Sequence, residues 1–157
     1  ADLKAAVIVC SDTISVGNGE DKSGKAIVSK LESFGIETTF YEVIPDDFNL
    51  IQEKVKMLTS EVRLLIFTGG TGLSPKDLTT DAISPLIEKP IDGIMETVRR
   101  YGQERMPYAM LSRSVAGLIG STLVLTFPGS VKGANEGIDA LFPQVLHVFK
   151  VISGERH

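Results

Sequence analysis

The sequence feature that constrains the fold most is an abrupt change of pattern within residues 64–81. The short apolar run Leu64–Phe67 is typical of a strand buried on both faces. It is followed by Gly-Gly-Thr-Gly at residues 69–72, where glycine permits positive φ angles and close approach of a ligand to the backbone. Successive N–H groups in such a turn can cradle an anion, usually a phosphate. A tight turn without a ligand is the alternative, but three glycines before a polar tail favour a phosphate-binding loop.

Two carboxylates follow these glycines, Asp77 and Asp81, with Lys76 beside the first. A carboxylate near a bound phosphate repels it unless a cation lies between them, and Mg²⁺ commonly bridges carboxylates and substrate phosphates. Local capping is the alternative, because Thr79, Thr80 or Asp81 could cap the next helix. The pattern favours a functional role for Asp77 and leaves both interpretations of Asp81 open.

The length and composition predict one globular domain covering residues 1–157, since 43% of the residues are hydrophobic. The 16 basic and 20 acidic residues give a net charge of −4, which argues against nucleic acid as a partner. The single cysteine, Cys10, permits no intrachain disulfide. No signal peptide or membrane-spanning segment is evident, so we expect a cytoplasmic protein that does not bind a membrane.

Strand-like and helix-like segments alternate along the chain. The segments Ala5–Cys10, Glu37–Ile44, Leu64–Thr68 and Thr122–Phe127 have the composition of strands, and amphipathic segments separate them. This alternation predicts an α/β fold with three α/β/α layers around a mostly parallel central sheet. Ligands bind outside the carboxyl ends of such strands, so Ser11-Asp12-Thr13 becomes a candidate part of the site.

The helix patterns carry further expectations. We expect Ser23 to cap the first long helix. One of Asp46 and Asp47 should cap the next helix, and the other, which we expect to be Asp46, should lie just past the strand end. Pro107 should end the helix that starts near Ile91. Apolar spacing predicts helices over residues 80–87 and from Ser130 to Phe149.

Residues 19–26 come close to a Walker A phosphate-binding motif but do not satisfy it. Ala26 stands where the motif needs a hydroxyl for Mg²⁺, and Glu20 and Asp21 would oppose phosphate. The segment also lies well past the first strand, whereas the motif turns directly from a strand into a helix. We therefore reject it as a phosphate-binding loop and retain it as a lid over the site.

A second strand-to-glycine transition occurs at Pro128–Gly133. The start of the following helix, with Ser130 and Lys132, is a second candidate anion site. Arg113, between Ser112 and Ser114, offers a guanidinium that could bind a phosphate or carboxylate, although a surface ion pair is an equal alternative.

Seven short motifs occur in the order found in the molybdopterin adenylyltransferase family, which includes MogA and MoaB proteins and the G domain of gephyrin. They are Ser11-Asp12, Asp21-Lys22-Ser23-Gly24, Pro45-Asp46, Thr68-Gly69-Gly70-Thr71-Gly72, Lys76-Asp77-Leu78-Thr79, Leu111-Ser112-Arg113 and Pro128-Gly129-Ser130. One motif alone would be weak evidence, but the ordered set covers nearly the whole chain. The sequence therefore resembles this family. One departure is Thr80, which stands where many members carry proline.

The resemblance implies a Rossmann-like, MogA/MoaB-like fold and a homotrimer of the molybdenum cofactor pathway. It implies transfer of AMP from ATP to the terminal phosphate of molybdopterin, with pyrophosphate released and the product handed to a molybdate-inserting protein. Asp46 and Asp77 are the implied catalytic and Mg²⁺-binding carboxylates. The implied substrate-binding residues are Ser11, Asp12, Thr68, Gly69, Gly70, Thr71, Gly72, Asp81, Ser112, Arg113, Pro128, Gly129, Ser130 and Lys132. Some MoaB proteins lack the acid at the Asp46 position, so its presence favours the active branch. A non-catalytic molybdopterin carrier or a scaffold protein stays open.

Overall fold

A computed structural model describes residues 3–154, and within them six strands form one sheet in the order β2-β1-β3-β6-β5-β4. The strands are β1 (Lys4–Cys10), β2 (Glu37–Ile44), β3 (Leu64–Thr68), β4 (Lys89–Pro90), β5 (Ala116–Ile119) and β6 (Thr122–Phe127). The helices are α1 (Asp12–Ser15), α2 (Ser23–Ser33), α3 (Phe48–Leu58), α4 (Thr79–Ile83), α5 (Asp92–Gln103), α6 (Val131–Leu141) and α7 (Val148–Ile152). Strands β2, β1, β3 and β6 are parallel to one another. Strand β5 pairs antiparallel with β6, and β4 pairs antiparallel with β5. The predicted mostly parallel sheet is confirmed.

Helices cover both faces of this sheet because side chains alternate along the buried strands. On β3, Leu64 and Ile66 pack in a cluster that includes residues of α2, α5 and α6, whereas Leu65 and Phe67 pack with α3 and α4. All five residues of β3 are buried. The chain leaves β1 toward β2 and then returns to β3 on the other side, so the carboxyl ends of β1 and β3 form a switch point, where α/β proteins bind ligands.

Two helix boundaries differ from the predicted ones for a local reason. Asp21, not Ser23, caps α2, since its Oδ1 accepts a hydrogen bond from the Gly24 N–H at 2.9 Å. The last long helix does not reach Phe149 but stops at Leu141, because Pro143 has no N–H to donate to the preceding turn. A 3₁₀ turn and α7 follow.

Two other segments are shorter than predicted. Helix α5 ends at Gln103, four residues before Pro107, because proline has no N–H to donate to the Gln103 carbonyl and its ring clashes with a carbonyl in that position. The helix predicted over residues 80–87 is α4 followed by a 3₁₀ turn at Ser84–Leu86. The two-residue strand β4 gave no recognisable pattern in the sequence. No helix within residues 3–154 has the length and apolar character needed to cross a membrane.

Candidate functional site

A cleft of about 730 Å³ lies at the carboxyl ends of β1, β3 and β6 and extends between α5 and α6. Most of the predicted site residues line it: Ser11, Asp46, Thr68, Gly69, Gly70, Thr71, Gly72, Asp77, Ser112, Pro128, Gly129, Ser130 and Lys132. The other three, Asp12, Asp81 and Arg113, are not among the lining residues. The fold therefore brings segments from five parts of the chain to one site.

The loop after β3 can be built only with glycine at its first two positions. Gly69 and Gly70 have φ angles of +97° and +70°. A Cβ atom on Gly69 would lie 2.4 Å from the Cys10 carbonyl oxygen, and one on Gly70 would lie 2.2 Å from Thr79 Oγ1. Within the described residues, the N–H groups of residues 70–72 donate no hydrogen bond to protein. Unpaired successive N–H groups on a cleft wall are what an anion-binding loop requires.

The two glycine turns predicted from the sequence lie against each other. Thr68 Oγ1 donates a hydrogen bond to the Pro128 carbonyl oxygen at 2.8 Å. The Gly69 N–H donates to the Phe127 carbonyl oxygen at 2.9 Å. A Cβ on Gly129 would lie only 3.2 Å from the Gly69 Cα, so the turns approach at backbone distance. Together they form one continuous wall of the cleft.

Asp46 lines the cleft and does not cap a helix, because its neighbour Asp47 caps α3. The Leu50 N–H donates to Asp47 Oδ1 at 2.9 Å, which caps α3 as expected for one of the two acids. Asp46 is held by Asp12 instead: the Asp46 N–H donates to Asp12 Oδ1 at 2.8 Å, and the Asp12 N–H donates to Asp46 Oδ2 at 3.2 Å. Partial burial raises the pKa of Asp46, and the charges of Asp12 and Asp77 raise it further.

Asp77 folds back over the glycine loop. Its Oδ2 accepts a hydrogen bond from the Ser74 N–H at 2.9 Å, which fixes the carboxylate without neutralising it. A Cβ on Gly72 would lie 2.7 Å from the same oxygen, so glycine is needed at this position for the carboxylate to approach the loop. Unpaired N–H groups and a carboxylate thus occupy one corner of the cleft.

This corner fits a Mg²⁺ ion that is shared with a substrate. Among residues 3–154 there is no cluster of three or more His, Cys, Asp or Glu side chains arranged to hold a metal alone. Mg²⁺ in nucleotide sites commonly takes only one or two carboxylates and completes its shell with phosphate oxygens and water. Asp46 and Asp77 both line this cleft, so the donor set has the carboxylates that such a shared ion would need.

Arg113 and Asp81 form an ion pair. Arg113 Nη2 lies 2.6 Å from Asp81 Oδ1, and the Asp81 carboxylate raises the pKa of the guanidinium. The backbone of Arg113 also braces the site, since its N–H donates to the Thr71 carbonyl at 2.7 Å. Its own carbonyl accepts from Thr80 Oγ1 at 2.7 Å. The Arg113 guanidinium is thus paired with Asp81 in this structure, and its role in substrate binding stays a prediction.

The second turn leads into α6 through a side-chain cap. Ser130 Oγ accepts a hydrogen bond from the Gly133 N–H at 3.0 Å. Lys132 extends from the first turn of this helix, with 63% of its side chain exposed at the rim of the cleft.

Sequence reasoning missed Arg99, which supports the Ser112–Ser114 segment. Arg99 Nε donates to the Ser112 carbonyl at 3.0 Å, and Nη2 donates to the Ser114 carbonyl at 2.7 Å. Arg99 stands four residues after the buried Met95 and therefore lies on the same face of α5. That spacing was the available indication.

Two acids of the cleft region were also missed. Asp21 is buried, accepts a hydrogen bond from the Tyr41 hydroxyl and adjoins Ser23, which lines the cleft. Burial and the Asp21 carboxylate raise the pKa of Tyr41. Glu136, on α6, lines the cleft directly.

Comparison with known proteins identifies the family. Residues 6–147 match the family described as "Probable molybdopterin binding domain". The chain belongs to this family. It is 32% identical to a molybdopterin adenylyltransferase of Helicobacter pylori strain 26695, with 94% of the chain and 86% of that protein covered. The structure of MoaB from Thermus thermophilus matches with a TM-score of 0.90 and 33% identity, over 98% of both chains.

Other relatives are longer proteins. Gephyrin of Dictyostelium discoideum is 35% identical over 95% of the chain, which spans 22% of gephyrin. A molybdenum cofactor biosynthesis bifunctional protein of Chlorobaculum tepidum is 33% identical over 98% of the chain, which spans half of that protein. The predicted relationship to molybdopterin adenylyltransferases, MoaB and gephyrin is confirmed, as is the predicted fold class.

Proposed function

We propose that this protein acts in molybdenum cofactor biosynthesis as an enzyme that transfers the adenylyl group of ATP to the terminal phosphate of molybdopterin. The observation that carries the proposal is one cleft in which unpaired backbone N–H groups of a glycine loop adjoin Asp46 and Asp77. Relatives that cover most of the chain carry the name molybdopterin adenylyltransferase.

The reaction joins two polyanions, so positioning and charge neutralisation are its main requirements. A terminal phosphate oxygen of molybdopterin attacks the α-phosphorus of ATP and forms a new P–O bond. The bond from that phosphorus to the oxygen bridging the α- and β-phosphates breaks, and pyrophosphate leaves with the electron pair. The glycine-loop N–H groups bind phosphate oxygens, and Ser112, Ser130 and Lys132 bind the second phosphate group.

The two carboxylates of the cleft would bind the cation that the reaction needs. Asp46 and Asp77 would hold Mg²⁺, which neutralises phosphate charge when it is bound. The Asp12 N–H and the Ser74 N–H orient the two carboxylates and leave each with an oxygen free for a ligand. Asp81 and Arg113, paired with each other, keep the Thr71 end of the glycine loop in place through the backbone of Arg113.

Assembly and location complete the proposal. By the family resemblance, three copies form a homotrimer, and the adenylylated product passes to a molybdate-inserting protein. A cytoplasmic location accords with a single cysteine, Cys10, which is buried and free.

The deciding experiment is pyrophosphate release with ATP, Mg²⁺ and molybdopterin, comparing the native chain with Asp77→Asn. Asparagine can still accept the Ser74 N–H but cannot neutralise a cation, so we expect release to fall about 100-fold or more in a folded variant. Asp47→Asn is the matched control, because asparagine caps a helix as well as aspartate does and Asp47 lies outside the cleft. Its activity should stay within about twofold of native.

Two outcomes would count against the proposal. Native protein that binds molybdopterin tightly but releases no pyrophosphate would be a non-catalytic carrier of the MoaB type. Equal loss of activity in Asp77→Asn and Asp47→Asn would show that the change of charge at the cleft is not what matters.

A further inference from the structure

The end of the cleft that lies between α5 and α6 differs in chemistry from the glycine turns. Its walls are apolar, built by Met95 and Val98 of α5 and by Met106 and Ala109 in the chain that follows. Among these groups stands one carboxylate, Glu136 of α6. A largely apolar slot that contains one carboxylate suits a flat, heteroaromatic ligand that must be held in one orientation.

Glu136 faces this slot. Its side chain is 17% exposed, whereas that of Lys132, one helical turn earlier, is 63% exposed. Their charged atoms are 4.0 Å apart, at the outer limit of an ion pair. Within the described residues Glu136 accepts no hydrogen bond. The carboxylate of Glu136 therefore lies on the cleft wall with acceptor oxygens open to a ligand that brings hydrogen-bond donors.

Gly102 keeps the space beside this carboxylate open. It is buried in α5, and a Cβ there would lie 3.8 Å from Glu136 Oε2 and 3.2 Å from the Ala109 Cβ. A larger side chain would push against Ala109 and fill the slot at the carboxylate. The backbone of α5 therefore approaches α6 closely at the point where the acid stands.

We infer that Glu136 recognises the aminopyrimidinone edge of the pterin ring, with the ring packed between Met95 and Met106. This inference rests on the proposed function, since it assigns the pterin end of the same substrate. The edge presents two adjacent donors, the ring N3–H and the 2-amino group, and a carboxylate presents two acceptors at matching spacing. Methionine sulfur makes favourable contacts with aromatic rings.

Adenine is the other ring system in the reaction, and its chemistry fits Glu136 less well. Each edge of adenine that carries the amino donor also carries a ring nitrogen acceptor beside it. A carboxylate could accept from the amino group but would repel the neighbouring lone pair. The two ends of the cleft therefore bind different groups of the substrates: the glycine turns bind phosphate, and Glu136 binds the pterin in preference to adenine.

The test measures equilibrium binding of molybdopterin and of ATP to the full chain and to Glu136→Gln. Loss of a charge-assisted pair of hydrogen bonds should weaken molybdopterin binding about 10- to 100-fold and leave ATP binding within about twofold. Asp139→Asn is the matched control, because Asp139 lies on the same helix but pairs with Lys30 outside the cleft. It should bind both substrates as the native chain does.

A second readout separates recognition from a structural effect. Pterin and lumazine share one ring system, but lumazine has an oxygen in place of the 2-amino group. Pterin should compete with molybdopterin better than lumazine does in the native chain, and this preference should vanish in Glu136→Gln. A merely structural role would weaken both competitors equally and would overturn the inference.

The outcomes also separate this inference from the proposed function. Native adenylyl transfer with unchanged molybdopterin affinity in Glu136→Gln would overturn the role of Glu136 alone. Absence of transfer, together with the expected loss of molybdopterin affinity, would overturn the proposed activity and leave Glu136 as the pterin anchor.

Discussion

Asp12 and Asp46 hold each other through reciprocal hydrogen bonds, in which each carboxylate accepts the other residue's backbone N–H, at 2.8 and 3.2 Å. The two residues follow neighbouring parallel strands that are still in register at Cys10 and Ile44. The bonds bring two negative charges together, and the charge of Asp12 contributes to the raised pKa of Asp46. The backbone hydrogen bonds stabilise this arrangement, and a cation bound between the carboxylates would relieve the repulsion of their charges.

The first prediction separates the two effects of Asp12 on Asp46. Asp12→Asn keeps an acceptor for the Asp46 N–H and removes a charge, whereas Asp12→Ala removes both. We expect Asp12→Ala to lower the rate of adenylyl transfer about 10- to 100-fold below that of Asp12→Asn, because the Asp46 backbone N–H loses its acceptor and the backbone that carries the Asp46 carboxylate is no longer fixed. Initial rates of pyrophosphate release at saturating substrates measure this, and equal rates in the two variants would show that the hydrogen bond is irrelevant.

The second prediction concerns stability and pH. Folding raises the pKa of Asp46 above its ordinary value of 3.8, so the native state binds more protons than the unfolded chain in that range. The stability that this group contributes is present below pH 3.8 and is lost as pH rises through the folded pKa. Asp46→Asn should therefore be more stable than the native chain at about pH 7, with a smaller difference at about pH 4.

Urea unfolding of both proteins at the two pH values measures the difference. Asparagine retains an acceptor for the Asp12 N–H, so the comparison isolates the charge. A stability difference that is the same at both pH values would contradict the argument.

The third prediction tests the steric demand of the glycine loop. Gly69 and Gly35 both have positive φ angles, +97° and +78°. A Cβ on Gly69 would meet the Cys10 carbonyl at 2.4 Å, whereas nothing lies within 4 Å of a Cβ on Gly35. Gly35→Ala should lower the free energy of unfolding by about 1 kcal/mol from backbone strain alone, and Gly69→Ala by about 3 kcal/mol or more. Thermal or urea unfolding measures both, and equal losses would show that the contact with Cys10 relaxes freely.

The parts of the fold that could be predicted from sequence are those with one dominant local cause. The apolar runs that form β1, β3 and β6 have few alternatives to a buried strand, and the glycines after β3 indicate a backbone that needs positive φ. The two-residue strand β4 depends on pairing with β5, a tertiary contact that leaves no periodic pattern. The cap of α2 by Asp21 rather than Ser23 is a choice between two good cap residues that composition cannot make.

The site shows the same division. The sequence predicts that one of Asp46 and Asp47 caps the next helix and that Asp46 is the acid left at the strand end, and both expectations are confirmed because Asp47 caps α3. The ion pair of Arg113 with Asp81 could not be predicted, because only the tertiary fold brings these two residues together. Glu136 escaped notice because its slot is formed by α5 and α6 together, and neither helix alone indicates a cavity.

The last prediction concerns Arg99, which holds the serine segment at the cleft. Its planar guanidinium donates to the carbonyls of Ser112 and Ser114, 3.0 and 2.7 Å away, a geometry that a lysine ammonium cannot reproduce. Arg99→Lys should therefore raise the KM for molybdopterin about tenfold, because Ser112 is no longer fixed, while the KM for ATP changes less. Arg100→Lys is the control, since Arg100 is exposed on the same helix and lies outside the cleft. Steady-state kinetics with each substrate varied in turn would distinguish the two, and a rise in KM of equal size for both substrates would mean that Arg99 supports the whole cleft rather than the molybdopterin side.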